Sequence, residues 1–111
     1  MIKVLYENTD RFSLMSVMWR PDAIYLNSKA GTKFEYGEIK IPYISTKEFI
    51  ALGSDVVVII GCRTRANIDK AIKLCEKYGY KYMLIDDVIF KNYSIDIDDV
   101  IKKYKGKYVD N

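Results

Sequence analysis

The chain has no histidine, two cysteines, two prolines and six glycines in 111 residues, and each scarcity excludes something. Without histidine the commonest general base is gone, which rules out Ser–His and Cys–His nucleophilic catalysis. The two cysteines, Cys62 and Cys75, lie 13 positions apart and make a poor zinc site without further nitrogen or sulfur ligands. They read as free thiols of a reducing cytoplasm, where we expect the protein to work. Few prolines and glycines leave little room for linkers. No run approaches the roughly 18 apolar residues of a membrane span. The opening Met1-Ile-Lys-Val-Leu-Tyr-Glu-Asn8 lacks the apolar segment and cleavage site of a signal peptide. An excess of one charge is missing too. The net charge is +3, with seven basic against six acidic residues in 1–54 and eleven against nine in 55–111. That balance is not the basic footprint of a dedicated nucleic-acid binder.

What is present is a run of branched apolar residues, Val56-Val-Val-Ile-Ile60, between Asp55 and Gly61. Such a run suits a strand covered on both faces, at the centre of a parallel sheet. Around it the periodicity predicts strands over 2–7, 23–26 and 81–85, a short extended piece over 38–41, and turn chemistry over 27–32. Ser45-Thr-Lys-Glu48 is a capping box opening a helix through Leu52, stopped by Gly53. Ile68, Ala71, Ile72, Cys75 and Tyr78 recur at helical spacing, and Gly79 ends that helix. A last helix starts at Ser94, with acids first and lysines last. Residues 11–19 fit a short helix or a strand. The ten tyrosines are scattered and read as packing. Strands alternating with helices predict one α/β domain over 1–111, with a mainly parallel sheet and helices on both faces, a three-layer arrangement.

Several stretches carry a resemblance: Ala23-Ile-Tyr-Leu-Asn27, Lys29-Ala-Gly31, Gly37-Glu-Ile-Lys-Ile-Pro42-Tyr-Ile-Ser45, Glu48-Phe49, Asp55 to Ile60, and Tyr78-Gly-Tyr80. Together they resemble the small Rossmann-like domain at the N-terminus of sugar-modifying enzymes of polysaccharide loci, including methyltransferases and acetyltransferases. The resemblance implies a nucleotide-type ligand and places Asn27 where an acid would hold a ribose. One departure stands out. The turn after the first strand, Tyr6-Glu-Asn-Thr-Asp10, has no glycine, and Glu7 and Asp10 would repel a pyrophosphate. Dinucleotide binding there is not expected, and the domain is read as degenerate.

The remaining phosphate candidate is Cys62-Arg63-Thr64-Arg65-Ala-Asn67, between the central strand and a helix N-terminus, where free N–H groups and arginines favour an anion. Against that, Arg63 and Arg65 can be solvated while Thr64 or Asn67 caps the helix. A helix N-terminus would also lower the Cys62 thiol pKa, which invites a nucleophile reading.

Two other classes compete. Pro21-Asp22, followed sixteen residues after Asp22 by Glu38-Ile-Lys40, resembles the PD-(D/E)xK motif of metal-dependent nucleases. That resemblance implies Asp22 and Glu38 as Mg²⁺ ligands and Lys40 beside the attacking water, with nucleic acid as substrate. It calls for antiparallel pairing of 22–27 with 34–41. As ordinary structure, Asp22 follows proline as turn chemistry, and Glu38 and Lys40 form a solvent-facing pair. The last class has no chemistry: an interaction module for a protein partner or a homodimer, with the apolar side chains of 11–19 as a face. Of these the sequence favours a non-catalytic binding domain without cofactor or membrane contact.

Overall fold

The computed structural model describes residues 1–7, 20–62 and 64–84. The segment 11–19, Arg63 and the helix expected from Ser94 lie outside them. The described chain forms strands β1 (Ile2–Tyr6), β2 (Ala23–Tyr25), β3 (Lys33–Tyr36) and β4 (Ile39–Ile44), helix α1 (Thr46–Ile50), strand β5 (Val56–Ile60), helix α2 (Arg65–Tyr78) and strand β6 (Lys81–Leu84). A 3-10 turn at Asn27–Lys29 follows β2.

These make one six-stranded sheet in the order β3-β4-β2-β1-β5-β6. Every adjacent pair is parallel except β3–β4. The α/β class and the mainly parallel sheet are therefore as expected. The branched run is β5, paired on both sides by β1 and β6, and all five of its residues are buried.

Alternation along the strands sends successive side chains to opposite faces. Val4, Tyr6, Tyr25, Val56, Val58, Ile60 and Tyr82 join Phe49 of α1 and Ala71 and Cys75 of α2 in one core cluster. On the other face Ile24, Leu5, Ile59 and Met83 form a single cross-strand row, each no more than 2 % exposed. Both faces of the sheet are thus withdrawn from water, which is why β5 reads as a continuous apolar run.

Phe49 anchors the helical side. It stacks on Tyr25 at 4.5 Å and meets Tyr6 and Tyr80 edge-on at 5.6 and 5.2 Å. The Tyr80 hydroxyl donates to the Phe49 carbonyl at 2.6 Å. These tyrosines are packing residues, as their scatter suggested. Truncating Phe49 to alanine would cost roughly 3–5 kcal/mol.

The capping box forms as the sequence predicts. Ser45 Oγ accepts from the Glu48 N–H, and Glu48 Oε1 accepts from the Ser45 N–H, each at 3.1 Å. Helix α1 ends at Ile50, short of the expected Leu52. Helix α2 ends at Gly79, whose φ of 73° is the left-handed cap that glycine adopts without strain.

The extended piece over 38–41 is a whole hairpin. β4 runs on through Pro42 to Ile44 and carries the antiparallel edge strand β3, which begins just after the expected turn chemistry of 27–32. Pro42 is tolerated because it lies one residue before the β2–β4 ladder begins at Ile24 and Tyr43.

Candidate functional site

The carboxyl ends of the parallel strands meet at one edge of the sheet. From β1 the chain builds outward one way to β2 and β4, then returns to the other side of β1 for β5 and β6. Open α/β sheets bind ligands at such a reversal, because the loops on its two sides diverge and leave a crevice. A cleft of about 380 Å³ opens there, lined by Tyr6 and Glu7 at the end of β1, Tyr25 to Ser28 at the end of β2, Cys62 after β5, and Asn67 and Lys70 of α2.

The floor is set by a close approach. The Gly61 N–H donates to the Tyr6 carbonyl at 2.7 Å, extending the β1–β5 ladder past the end of β5. A Cβ at Gly61 would lie 3.1 Å from that carbonyl oxygen and 3.5 Å from Glu7 Cγ. Glycine relieves crowding here rather than backbone strain, since its φ is not in the left-handed region. On the other side the Glu7 N–H donates to the Tyr25 carbonyl at 3.0 Å. Glu7 is thereby held at the base of the cleft, and it is the only charged side chain buried among the described residues, at 3 % exposure. Burial, then the neighbouring Tyr25, Cys62 and Cys75, push the Tyr6 hydroxyl well above the usual tyrosine value. It therefore stays a neutral donor and acceptor.

The far wall is the start of α2. Thr64 occupies the N-cap position, yet its side chain caps no backbone N–H, and the first turn carries no acid. The first helical bond runs from the Ile68 N–H to the Thr64 carbonyl, so the N–H groups at the start of α2 and the positive end of its dipole face this end of the sheet. Asn67 stands in this turn and lines the cleft with Lys70.

The strand ends therefore bring together Asn27, Cys62 and Asn67, three of the residues expected from the sequence. Thr64 and Arg65 flank them at the start of α2, and Arg65 Nε lies 3.4 Å from Asp69 in an i,i+4 pair. Arg63 lies outside the described residues. Cys62 is 3 % exposed, so its thiol presents almost no surface for attack. Asn27 carries a structural duty as well: its Oδ1 accepts from the Thr46 N–H at 3.0 Å. Tyr6, Glu7, Tyr25, Ser28 and Lys70 were not anticipated as lining. The signal for the first four is their place just at or after strands β1 and β2, since every parallel strand delivers its carboxyl end to this edge.

The nuclease constellation is placed differently from what its motif requires. β2 pairs with β4 in parallel, not antiparallel, and Glu38 lies in the turn between β3 and β4. Asp22 Oδ2 accepts from the Lys3 N–H, and the Asp22 N–H donates to the Lys3 carbonyl, each at 2.8 Å. That reciprocal pair ties the entry of β2 to β1. Lys40 pairs across the hairpin with Glu35 in register. Among the described residues no group of three or more His, Cys, Asp or Glu side chains stands together as a metal site. No helix among them is long and apolar enough to cross a membrane.

No family model, curated protein or solved structure matches this chain.

Proposed function

We propose that the protein is a degenerate, Rossmann-like, three-layer domain that binds a nucleotide-type ligand in the cleft at the strand ends, without catalysing a reaction itself. The observation that carries this reading is the cleft's position: it opens where the strand order reverses, at the carboxyl ends of β1, β2 and β5. Counting only the parallel strands, the order is third-second-first-fourth-fifth, that of a doubly wound mononucleotide fold. Burial of both sheet faces supports the three-layer arrangement.

The lining suggests the ligand's chemistry. Glu7, Ser28 and the Asn27 amide suit the hydroxyls of a sugar. The first turn of α2, which carries no acid, and Lys70 suit an anion. With no glycine after β1, a phosphate approaches from the α2 side of the cleft.

Calorimetric titration with mononucleotides and nucleoside diphosphate sugars tests this, using wild type and Asn67→Asp. An acid in the first turn complements the helix dipole, so this variant should fold at least as well. It would also set a negative charge beside the anion. Binding to wild type and at least tenfold weaker binding to Asn67→Asp support the reading. Equal affinity for both, or no binding at millimolar ligand, contradicts it.

A further inference from the structure

A second cleft, of about 440 Å³, adjoins the first and shares Tyr6, Tyr25 and Lys70 with it. Its remaining lining is Thr46, Leu74, Lys73 and Lys77. Three of its seven lining residues are therefore lysines of α2, at positions i, i+3 and i+7, on one stripe of the helix.

All three lysines are exposed, and none takes part in an ion pair among the described residues. The acids of the same helix are engaged elsewhere: Asp69 lies 3.4 Å from Arg65, and Glu76 accepts from the Tyr82 hydroxyl at 2.7 Å. Lys77 rests its ammonium 5.5 Å over the Tyr78 ring, a contact that leaves its charge available. The Tyr25 and Thr46 hydroxyls, 2.7 Å apart, belong to residues of the same lining. The lining thus combines three lysines of α2 with these two hydroxyl-bearing residues, the Tyr6 ring and Leu74. Seven residues of helix span roughly 10 Å, longer than a single phosphate and suited to a chain of them.

We infer that this second cleft binds a polyphosphate chain, of two or more phosphates, along Lys70, Lys73 and Lys77. The inference rests on the reading of the first cleft only for the ligand's remaining part, which would enter there with Lys70 at the junction. It gives the domain a phosphate site on α2 in place of a glycine turn after β1.

Inorganic tripolyphosphate is the probe, since it needs the lysines alone. Titrate it at low and high ionic strength into wild type, Lys73→Gln/Lys77→Gln, and Lys33→Gln on the distant edge strand β3. The substituted lysines are exposed, so the variants should fold, and circular dichroism checks this. Expected is binding to wild type and Lys33→Gln alike, weakened by salt, and roughly tenfold or more weaker in the double variant. Equal binding by the double variant, or no binding to wild type at millimolar probe and low salt, overturns the inference. A mononucleotide titration separates the two proposals. If the double variant binds mononucleotide normally and tripolyphosphate is indifferent to the lysines, the first-cleft reading stands and this one falls. If tripolyphosphate depends on the lysines but no nucleotide binds, this one stands and the nucleotide reading falls.

Discussion

Asn27 Oδ1 accepts a hydrogen bond from the backbone N–H of Thr46 at 3.0 Å, joining the carboxyl end of β2 to the first turn of α1 across nineteen positions of sequence. Asn27 lines the first cleft and Thr46 the second, so the bond runs between the two. It also satisfies an N–H that the Ser45 capping box does not reach.

Asn27→Ala should therefore cost about 1 kcal/mol in urea unfolding, the usual worth of such a bond. Asn27→Asp keeps the acceptor and should recover most of that loss. If the two variants are equally stable, the bond to Thr46 is not what Asn27 contributes.

Gly61→Ala should destabilise by roughly 1–3 kcal/mol, because its Cβ would press on the Tyr6 carbonyl oxygen at 3.1 Å in a tightly paired stretch of backbone. A cleft held by that approach should lose ligand affinity in the same variant. Wild-type stability in denaturant would show that the β1–β5 edge yields at no cost.

Much of this architecture was legible in the sequence, and the reasons are local. The run Val56–Ile60 has no polar residue to blur it, the Ser45–Glu48 box is a two-way hydrogen bond written in four residues, and Gly79 marks a left-handed cap. The hairpin was not legible. β3 is Lys-Phe-Glu-Tyr on an edge, with an exposed and half-buried pattern that resembles a loop, and Pro42 hides the continuation of β4. The site was legible in part. Asn27, Cys62 and Asn67 come together because parallel strands deliver their ends to one edge. Glu7 was read as repelling a ligand, since only the register of β1 against β2 and β5 shows it buried at the base. The lysines at 70, 73 and 77 carry no signal of their own in the sequence, because only the packing of α2 beside Tyr6, Tyr25 and Thr46 makes them part of a cleft.

Alkaline pH should weaken the fold. Burial, then the charge of Glu76, pushes the Cys75 thiol up from 9.0 to about 12, and burial likewise raises the Tyr6 hydroxyl from 10.0. Both groups are held neutral in the folded chain and ionise more readily when unfolded. Their contribution is complete below about pH 9 and is lost as pH climbs toward 12. Thermal midpoints should fall from pH 9 upward, and Cys75→Ala should flatten that fall while lowering the plateau. A midpoint that is flat to pH 11 in wild type contradicts this.

Asp22→Ala should cost about 1 kcal/mol through the orphaned Lys3 N–H. Among the described residues Asp22 stands at the entry of β2 and Glu38 in the β3–β4 turn, and the two form no group with a third metal-ligating side chain. Mn²⁺ should therefore leave the melting temperature of wild type and Glu38→Ala unchanged, since only a ligand of the folded state raises it. Stabilisation of wild type alone would restore the nuclease arrangement.

The most direct test of the central claim is a ¹⁵N-correlation titration of the full chain with a nucleoside diphosphate sugar. The account predicts shifts confined to the edge where the strands end: Glu7, Asn27, Ser28, Gly61, Cys62 and the first turns of α2, extending to Lys73 and Lys77. Shifts centred instead on the β3–β4 hairpin, or none at ten-millimolar ligand, would contradict it.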